Sequence, residues 1–140
     1  MARQHARRGV ALALAAAALA VIAIAWHLAA LTAYDTSAGT GTLVSRINAA
    51  ELAAHLEPWS ERFQWRVVTL RAQRLLNAGR IDEAFWLLEP LSQIVRGDAL
   101  YRSVYQEAVH LKAPLDARKA HVQHAKEKAG GVLDPADVQR

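Results

Sequence analysis

The chain contains no cysteine among its 140 residues. This absence excludes disulfide bonds, thiolate zinc sites and cysteine nucleophiles, and it fits an oxidising compartment. The motifs of other catalytic classes are missing as well: there is no Gly-rich phosphate loop, no serine nucleophile elbow and no HExxH metal motif. The sequence therefore predicts a protein that is not an enzyme and that uses no cofactor, metal or small-molecule substrate.

Acidic residues are missing from the first 34 positions, which contain Arg3, Arg7 and Arg8. These are only three of the 17 Lys and Arg residues, but they account for most of the formal net charge of +4, because the other cations nearly balance the 13 Asp and Glu residues. Nucleic-acid binding requires a broad basic patch, whereas this charge is confined to one short flank. We expect no nucleic-acid partner.

The longest apolar run covers residues 9–33, GVALALAAAALAVIAIAWHLAALTA, and His27 is its only ionisable side chain. A helix of this length covers roughly 37 Å, which exceeds the roughly 30 Å hydrocarbon core of a bilayer. The run therefore predicts a transmembrane helix over 9–34, preceded by a basic flank over 1–8. A cleaved secretory signal is the alternative, but the apolar core of such a signal is usually shorter than this run.

The distribution of positive charge predicts the orientation of the anchor. Lys and Arg stay on the cytoplasmic side during insertion, and the flank before the run is more basic than the stretch after it, where Asp35 precedes Arg46. The N-terminus should therefore be cytoplasmic and the following domain extracytoplasmic. Abundant Ala and a preference for Arg over Lys are typical of GC-rich bacterial genomes, so we expect a bacterial inner membrane with a periplasmic domain.

Small residues recur at four-residue spacing along the run, for example at Ala13 and Ala17 and at Ala16 and Ala20. Such spacing lets two helices approach closely within a bilayer. It also arises by chance in an alanine-rich segment, so the spacing leaves open whether this helix packs on another one.

Residues 35–42 are rich in Gly, Ser and Thr and are predicted to form a flexible linker. From 43 to 130 the apolar residues recur at helical spacing, which predicts a small all-α domain. Its first helix covers 43–56 and ends before Pro58. Residues 131–140 follow a Gly-Gly pair and are predicted to be a polar C-terminal tail.

Two helices, over about 60–78 and 82–95, should form an antiparallel hairpin. The first is apolar on two faces, so it should have a neighbour on each side. Gly79 follows it and suits the left-handed conformation found after a helix C-terminus. Pro90 lies inside the second helix and predicts a kink or a shortened helix.

The hairpin resembles a tetratricopeptide repeat over about residues 58–97. The resemblance is carried by one run, Ala72-x-x-Leu75-x-x-x-Gly79-x-x-Asp82-Glu83-Ala84-x-x-x-Leu88-x-x-Leu91. In that family a small residue of the first helix faces an alanine of the second, with a glycine at the turn. The resemblance implies that Ala72 packs on Ala84 where the two helices cross and that Gly79 makes the reversal.

Two more helices are predicted, over 98–111 and 115–128. Pro114 stands between them, and proline is favoured in the first turn of a helix. In the second of these helices His121 and His124 share one face, and His110 lies on the helix before it. These histidines have the spacing of metal ligands, but the residues around them are mostly cationic, so we interpret them as surface histidines.

Three arginines of the first hairpin helix, Arg62, Arg66 and Arg74, form a predicted basic strip. One interpretation is a surface for an anionic partner or for lipid headgroups. The alternative is an ordinary solvated helix face, in which these arginines pair with nearby acids such as Glu57 and Glu61.

Aromatic residues are numerous for so small a domain, and three of them are predicted partner contacts: Trp86, Trp59 and Tyr101. Trp86 belongs to four consecutive bulky residues, 85–88, which cannot all face the core of one hairpin. An outward tryptophan on a helical surface is a strong contact anchor.

Solenoid repeats need about three copies to bury a continuous core, whereas this chain has one repeat-like hairpin and a few further helices. We therefore expect the domain to complete itself against another protein. The expected function is that of a non-catalytic accessory or scaffold subunit of a bacterial membrane complex, in contact with integral membrane proteins and the lipid bilayer. The alternative is a transient assembly or secretion adaptor that binds peptide segments in a repeat groove.

Overall fold

The structure is a computed structural model that describes residues 2–95 and 97–130, and within these ranges the chain is all-helical. The helices are α1 Ala2–Ala38, α2 Leu43–Leu56, α3 Glu61–Asn77, α4 Ile81–Leu88 and α5 Ala99–Gly130, with a short 3-10 helix, Glu89–Leu91, after α4. The predicted tail over 131–140 lies outside the described residues.

The chain divides into two compact units, Met1–Arg71 and Ala72–Arg140, and the boundary falls inside α3. Residues 43–71 were predicted to belong with the helices that follow them, but they lie in the same unit as α1. The reason is that the C-terminal part of α1 is buried in the core of that unit.

Large apolar side chains of α1 are exposed from Leu12 to Leu28. Among the described residues, Leu12–Ala38 is the one stretch that is long and apolar enough to cross a membrane by length and composition. Exposure of so many apolar side chains in water is unfavourable, because each buried CH₂ group contributes about 0.8 kcal/mol. The helix is therefore compatible with the predicted membrane anchor.

The predicted linker over 35–42 is corrected by the structure to residues 39–42. α1 continues to Ala38, where its last turns are stabilised by tertiary packing of one face, a term that outweighs the weak helix propensity of Thr and Ser. The Gly39 N–H donates to the Thr36 carbonyl oxygen at 3.1 Å, and the Thr42 hydroxyl caps α2 by accepting from the Ser45 N–H at 3.2 Å. The connection is a tight turn between two helices.

α2 runs back along α1 in the opposite direction. At its start Arg46 Nε donates to the Ser37 carbonyl oxygen at 2.9 Å, and at its end Trp26 Nε1 donates to the Leu56 carbonyl oxygen at 2.6 Å. Apart from Tyr34, the buried side chains of the two helices are small or medium in size, which permits a close approach of their axes. They are Ala30, Ala33, Tyr34 and Ser37 on α1 and Ile47, Ala50, Ala53 and Ala54 on α2.

The first half of α3 completes the core of the first unit. Phe63, Val67 and Leu70 are buried, as expected for one of its two predicted apolar faces. The Phe63 ring lies 5.1 Å from the ring of Tyr34 on α1. The anchor helix therefore contributes an aromatic contact to the core of the folded unit.

In the second unit, α3 ends in a Schellman motif. The Arg80 N–H donates to the Leu75 carbonyl oxygen and the Gly79 N–H to the Leu76 carbonyl oxygen, both at 2.9 Å. Gly79 has a φ of 74°, which confirms its predicted left-handed conformation. Ala72 and Ala84 are both fully buried, and their contact at a close helix crossing stays a prediction.

α4 ends at Leu88, well before the predicted end near Val95. Pro90 has no N–H to continue the α-helical ladder, and it lies in the first turn of the 3-10 helix. The expected shortening at Pro90 is confirmed. Leu88 and Val95 then join Tyr101, Val104 and Ala108 of α5 in the buried core of this unit.

The two predicted helices over 98–111 and 115–128 are one continuous helix, α5, and Pro114 lies inside it. An interior proline costs about 3 kcal/mol or more because it removes a hydrogen bond and crowds the preceding turn. The helix persists because Ala, Leu, Lys and Arg on both sides are strong helix formers, and no glycine or capping residue precedes Pro114.

The backbone of Gly79 gives the first test of the hairpin. Gly79→Ala should destabilise the protein by about 1–2 kcal/mol, because an L side chain is strained at positive φ. Gly97→Ala is the matched control: a Cβ there meets no atom within 4 Å and its φ is not positive, so stability should be unchanged or slightly raised. Guanidinium unfolding of the full chain in mild detergent measures both. Equal effects of the two substitutions would contradict the assigned turn.

Candidate functional site

Trp86 lies on the outer side of α4, where its side chain is 66% exposed. Ala84 and Leu88, two positions away on either side, are buried in the second unit. The structure thus confirms the expectation that the bulky residues 85–88 do not all face the core, and it places Trp86 outward.

A series of aromatic rings supports this side of α4. The Phe85 ring lies edge-on to the Trp86 ring at 6.3 Å and stacks at 6.0 Å on Tyr105 of α5, which in turn stacks at 5.7 Å on Tyr101. Aromatic pairs of this kind contribute about 0.5–1.5 kcal/mol each beyond the burial of their area. The exposed tryptophan is therefore attached to a well-fixed part of the second unit.

Tyr101 is the innermost ring of this series, and the prediction that it contacts a partner is corrected. Its side chain is 2% exposed and its hydroxyl donates to the Leu88 carbonyl oxygen at 3.0 Å. Burial, with a smaller contribution from nearby Tyr105, raises the pKa of Tyr101 to about 12. Tyr101 is a core residue, because its position on α5 faces α4.

A charged network joins the start of α4 to α5. The Asp82 carboxylate accepts hydrogen bonds from Lys119 Nζ at 2.6 Å and from Lys112 Nζ at 3.1 Å, and these bonds hold the pKa of Asp82 below its usual range. Lys112 also donates to Asp116, and its two acidic partners raise the pKa of Lys112. The Lys112 ammonium lies 5.3 Å from the centre of the Phe85 ring.

Asp82 and Trp86 lie four residues apart, so they share one face of α4. We name as the Trp86 surface the five residues of this face and its surroundings, Asp82, Phe85, Trp86, Lys112 and Lys119. An exposed aromatic centre with a rim of charged residues is the composition typical of protein–protein contact sites.

Trp59 belongs to the first unit, in the turn between α2 and α3, and it is 75% exposed. It lines a hollow on α1 together with Leu19, Ile22 and Trp26. Trp59 and Trp86 therefore lie in different units, and we treat them as separate surfaces.

Arg62 and Arg66 of the predicted basic strip contact the end of α1. Arg62 Nε and Arg66 Nη2 donate to the Tyr34 hydroxyl oxygen at 3.0 and 2.8 Å, and their guanidinium carbons lie 4.5 and 4.8 Å from the centre of the Tyr34 ring. Cation–π contacts contribute about 0.5–2 kcal/mol, depending on solvent exposure. These two arginines therefore hold α1 against α3 within the first unit.

Arg74 lies farther along α3, in the second unit, and is exposed. Other charged residues near the strip form local ion pairs: Arg71 binds Glu51 at 2.8 Å, and Arg80 binds Glu83. Glu57, which was expected to pair with the strip, instead pairs with His27 of α1. The strip therefore has the character of a structural and solvated face over much of its length.

A second hollow in the first unit lies between α2 and α3. Its rim is polar and charged, with Glu51, His55, Gln64 and Arg71 around a floor that includes Val67. This polar-rimmed hollow is the candidate groove for the alternative function of binding peptide segments.

The predicted surface histidines are exposed on α5: His110, His121 and His124 all face solvent. His124 lies 3.8 Å from Glu127. Within residues 12–95 and 97–128, no group of three or more His, Asp or Glu side chains is arranged to hold a metal ion.

No protein-family model matches this chain, and neither a curated protein nor a solved structure matches it. The likeness to a tetratricopeptide repeat therefore rests on the hairpin residues alone and stays a prediction.

Sequence reasoning missed the structural role of Tyr34, His27 and Glu57, which join α1 to the rest of the first unit. One signal was available: Ala30 and Ala33 at the end of the apolar run and Ser37 beyond it form a stripe of small residues at helical spacing. The Glu57–His27 pair had no such signal, because it depends on how far α2 runs back along α1.

Proposed function

We propose that this protein is a single-pass, non-catalytic accessory or scaffold subunit of a bacterial membrane protein complex. In this proposal the N-terminal part of α1 crosses the inner membrane with its basic flank in the cytoplasm, and the helical units lie on the extracytoplasmic side. The partners are integral membrane proteins of the complex and the surrounding lipid.

The observation that carries this proposal is the continuity of α1. The helix that contains the candidate span continues without a linker into the core of the first unit, where Ala30 and Ser37 are fully buried and Tyr34 is held by two arginines. A unit held at a fixed distance from the membrane suits a permanent subunit, because the unit loses little conformational freedom when it docks on a partner protein. An adaptor that captures passing segments gains more from a flexible tether.

Two further features support a contact with other proteins. Ala13 and Ala17 present small, exposed side chains on α1, and such residues allow close helix packing within a bilayer. The Trp86 surface offers an aromatic anchor with a charged rim. A contact made by α1 and a contact made by the Trp86 surface would strengthen each other. Once one of them has formed, the other forms at high effective concentration.

The orientation of the anchor is tested by cysteine labelling, which a chain without native cysteine makes direct. In intact cells, a membrane-impermeant thiol reagent should label Gln123→Cys, at an exposed position of α5, and should leave Ala2→Cys unlabelled until the membrane is permeabilised. The reason is that the arginine flank retains the N-terminus in the cytoplasm. Labelling at position 2 alone would reverse the orientation.

The partner contact is tested by purifying the full chain from native membranes in mild detergent. A stable subunit should recover its partners in stoichiometric amounts, and Trp86→Ala should weaken their association by about tenfold or more, as expected for an anchor worth about 2 kcal/mol. Leu52→Ala is the control, because Leu52 is a comparably exposed apolar residue of the first unit.

Unchanged recovery with Trp86→Ala would remove the Trp86 surface from the proposal. Substoichiometric partners that are washed off by salt would favour the transient adaptor instead, with the polar hollow between α2 and α3 as its candidate groove.

A further inference from the structure

The first unit extends from the C-terminal end of α1 back along that helix toward its N-terminus. α2 runs back along α1 until its last residue, Leu56, accepts the hydrogen bond from Trp26. The next residue, Glu57, is 7% exposed, and its carboxylate pairs with the His27 ring. The buried Glu57 carboxylate therefore lies beside positions 26–27 of α1.

Beyond this pair the chain turns at Pro58 and Trp59, and the turn reaches still farther along α1. The hollow lined by Trp59 includes Leu19, Ile22 and Ala23, which lie one to two turns before Trp26. Its walls are mainly apolar, since Glu57 is the one acid in the lining and is paired with His27. The Trp59 indole N–H makes no hydrogen bond to the residues that the structure describes, so it is available to water or to headgroups.

This geometry is incompatible with a lipid-exposed span over the whole of 9–34. Such a span would place Glu57 and the polar side chains of α2 at the depth of the hydrocarbon core, where burial of charged groups is strongly unfavourable. The lipid-exposed part of α1 then has to end near Trp26. From Gly9 to Ala25 the helix covers roughly 25 Å, which is short for a bilayer but within the range of spanning helices.

We infer that Trp26, Trp59 and the hollow between them form a membrane-interface seat, in which the Trp59 ring lies at the boundary between headgroups and acyl chains. This inference rests on the proposed anchor. Trp59 is a second lipid contact of the first unit, supplied by the folded domain and not by the spanning helix, and it fixes the unit against the bilayer surface.

Lipid is the occupant that the observations favour, because the hollow is continuous with the exposed apolar surface of α1. Indole rings favour this depth, since they combine an apolar body with one hydrogen-bond donor. Leu19, Ile22 and Ala23 lie on the opposite side of the helix from Ala13 and Ala17 by helical spacing. The small-residue face therefore stays available for a partner helix while the seat faces lipid.

The test uses tryptophan fluorescence of the full chain in lipid vesicles. Trp65→Phe and Trp86→Phe leave Trp26 and Trp59 as the only emitters, and adding Trp59→Phe to this background gives the contribution of Trp59 by difference. The vesicles contain phospholipids brominated either near the headgroup or near the chain end, and iodide is the aqueous quencher. Far-UV circular dichroism checks that each variant is folded.

The emission of Trp59 should be quenched about twofold or more by bromine near the headgroup, less by bromine near the chain end, and only weakly by iodide, as expected for an interfacial indole. Quenching of Trp26 by bromine together with quenching of Trp59 by iodide alone would overturn the seat and leave the anchor intact. Absence of bromine quenching for both residues would overturn the anchor itself. Protection of Trp59 from both quenchers would overturn lipid as the occupant and indicate a second copy of the chain.

Discussion

The structure of the first unit depends on one constraint: the C-terminal part of α1 serves both as the continuation of the anchor and as core of a folded unit. Ala30, Ala33 and Ser37 are small enough to let α2 lie directly on this helix, while Tyr34 reaches α3. A larger side chain at the alanine positions would overpack the contact at a cost of about 1–3 kcal/mol. The unit therefore cannot rotate freely about its anchor.

Polar contacts reinforce this constraint at both ends of the α1–α2 pair. Arg46 binds the Ser37 carbonyl at one end, and the Trp26 and His27 side chains reach Leu56 and Glu57 at the other. A buried carboxylate without a partner would be strongly destabilising, so the His27–Glu57 pair fixes the register of α2 on α1. That register in turn determines where Trp59 emerges, and hence where the unit meets the bilayer in our account.

Much of the fold follows from sequence patterns that act locally. The Gly79 turn, the shortening at Pro90 and the buried faces of α3 and α5 were predictable, because conformational preference and helical spacing decide them. The extent of α1 past Tyr34 was not, since tertiary packing there overrides a run of Thr, Ser and Gly that is typical of a linker. Pro114 was wrongly predicted to separate two helices. The strong helix formers on both sides of it outweigh the energetic cost of an interior proline. The outward position of Trp86 was predictable, because four consecutive bulky residues cannot all face one core. The burial of Tyr101 was not predictable, because it depends on where α4 packs against α5.

The continuity of α1 is tested most directly by hydrogen exchange on the full chain in lipid nanodiscs, read out at single amides. Our account predicts that the amides of residues 30–38 exchange as slowly as those in the middle of α2, because they are hydrogen-bonded in a helix that opens only when the first unit unfolds. The turn at Thr40 and Gly41 supplies the internal reference and should exchange rapidly. Rapid exchange over 35–38, at the rate of the turn, would mean that a flexible linker separates the anchor from the unit, and it would contradict the account.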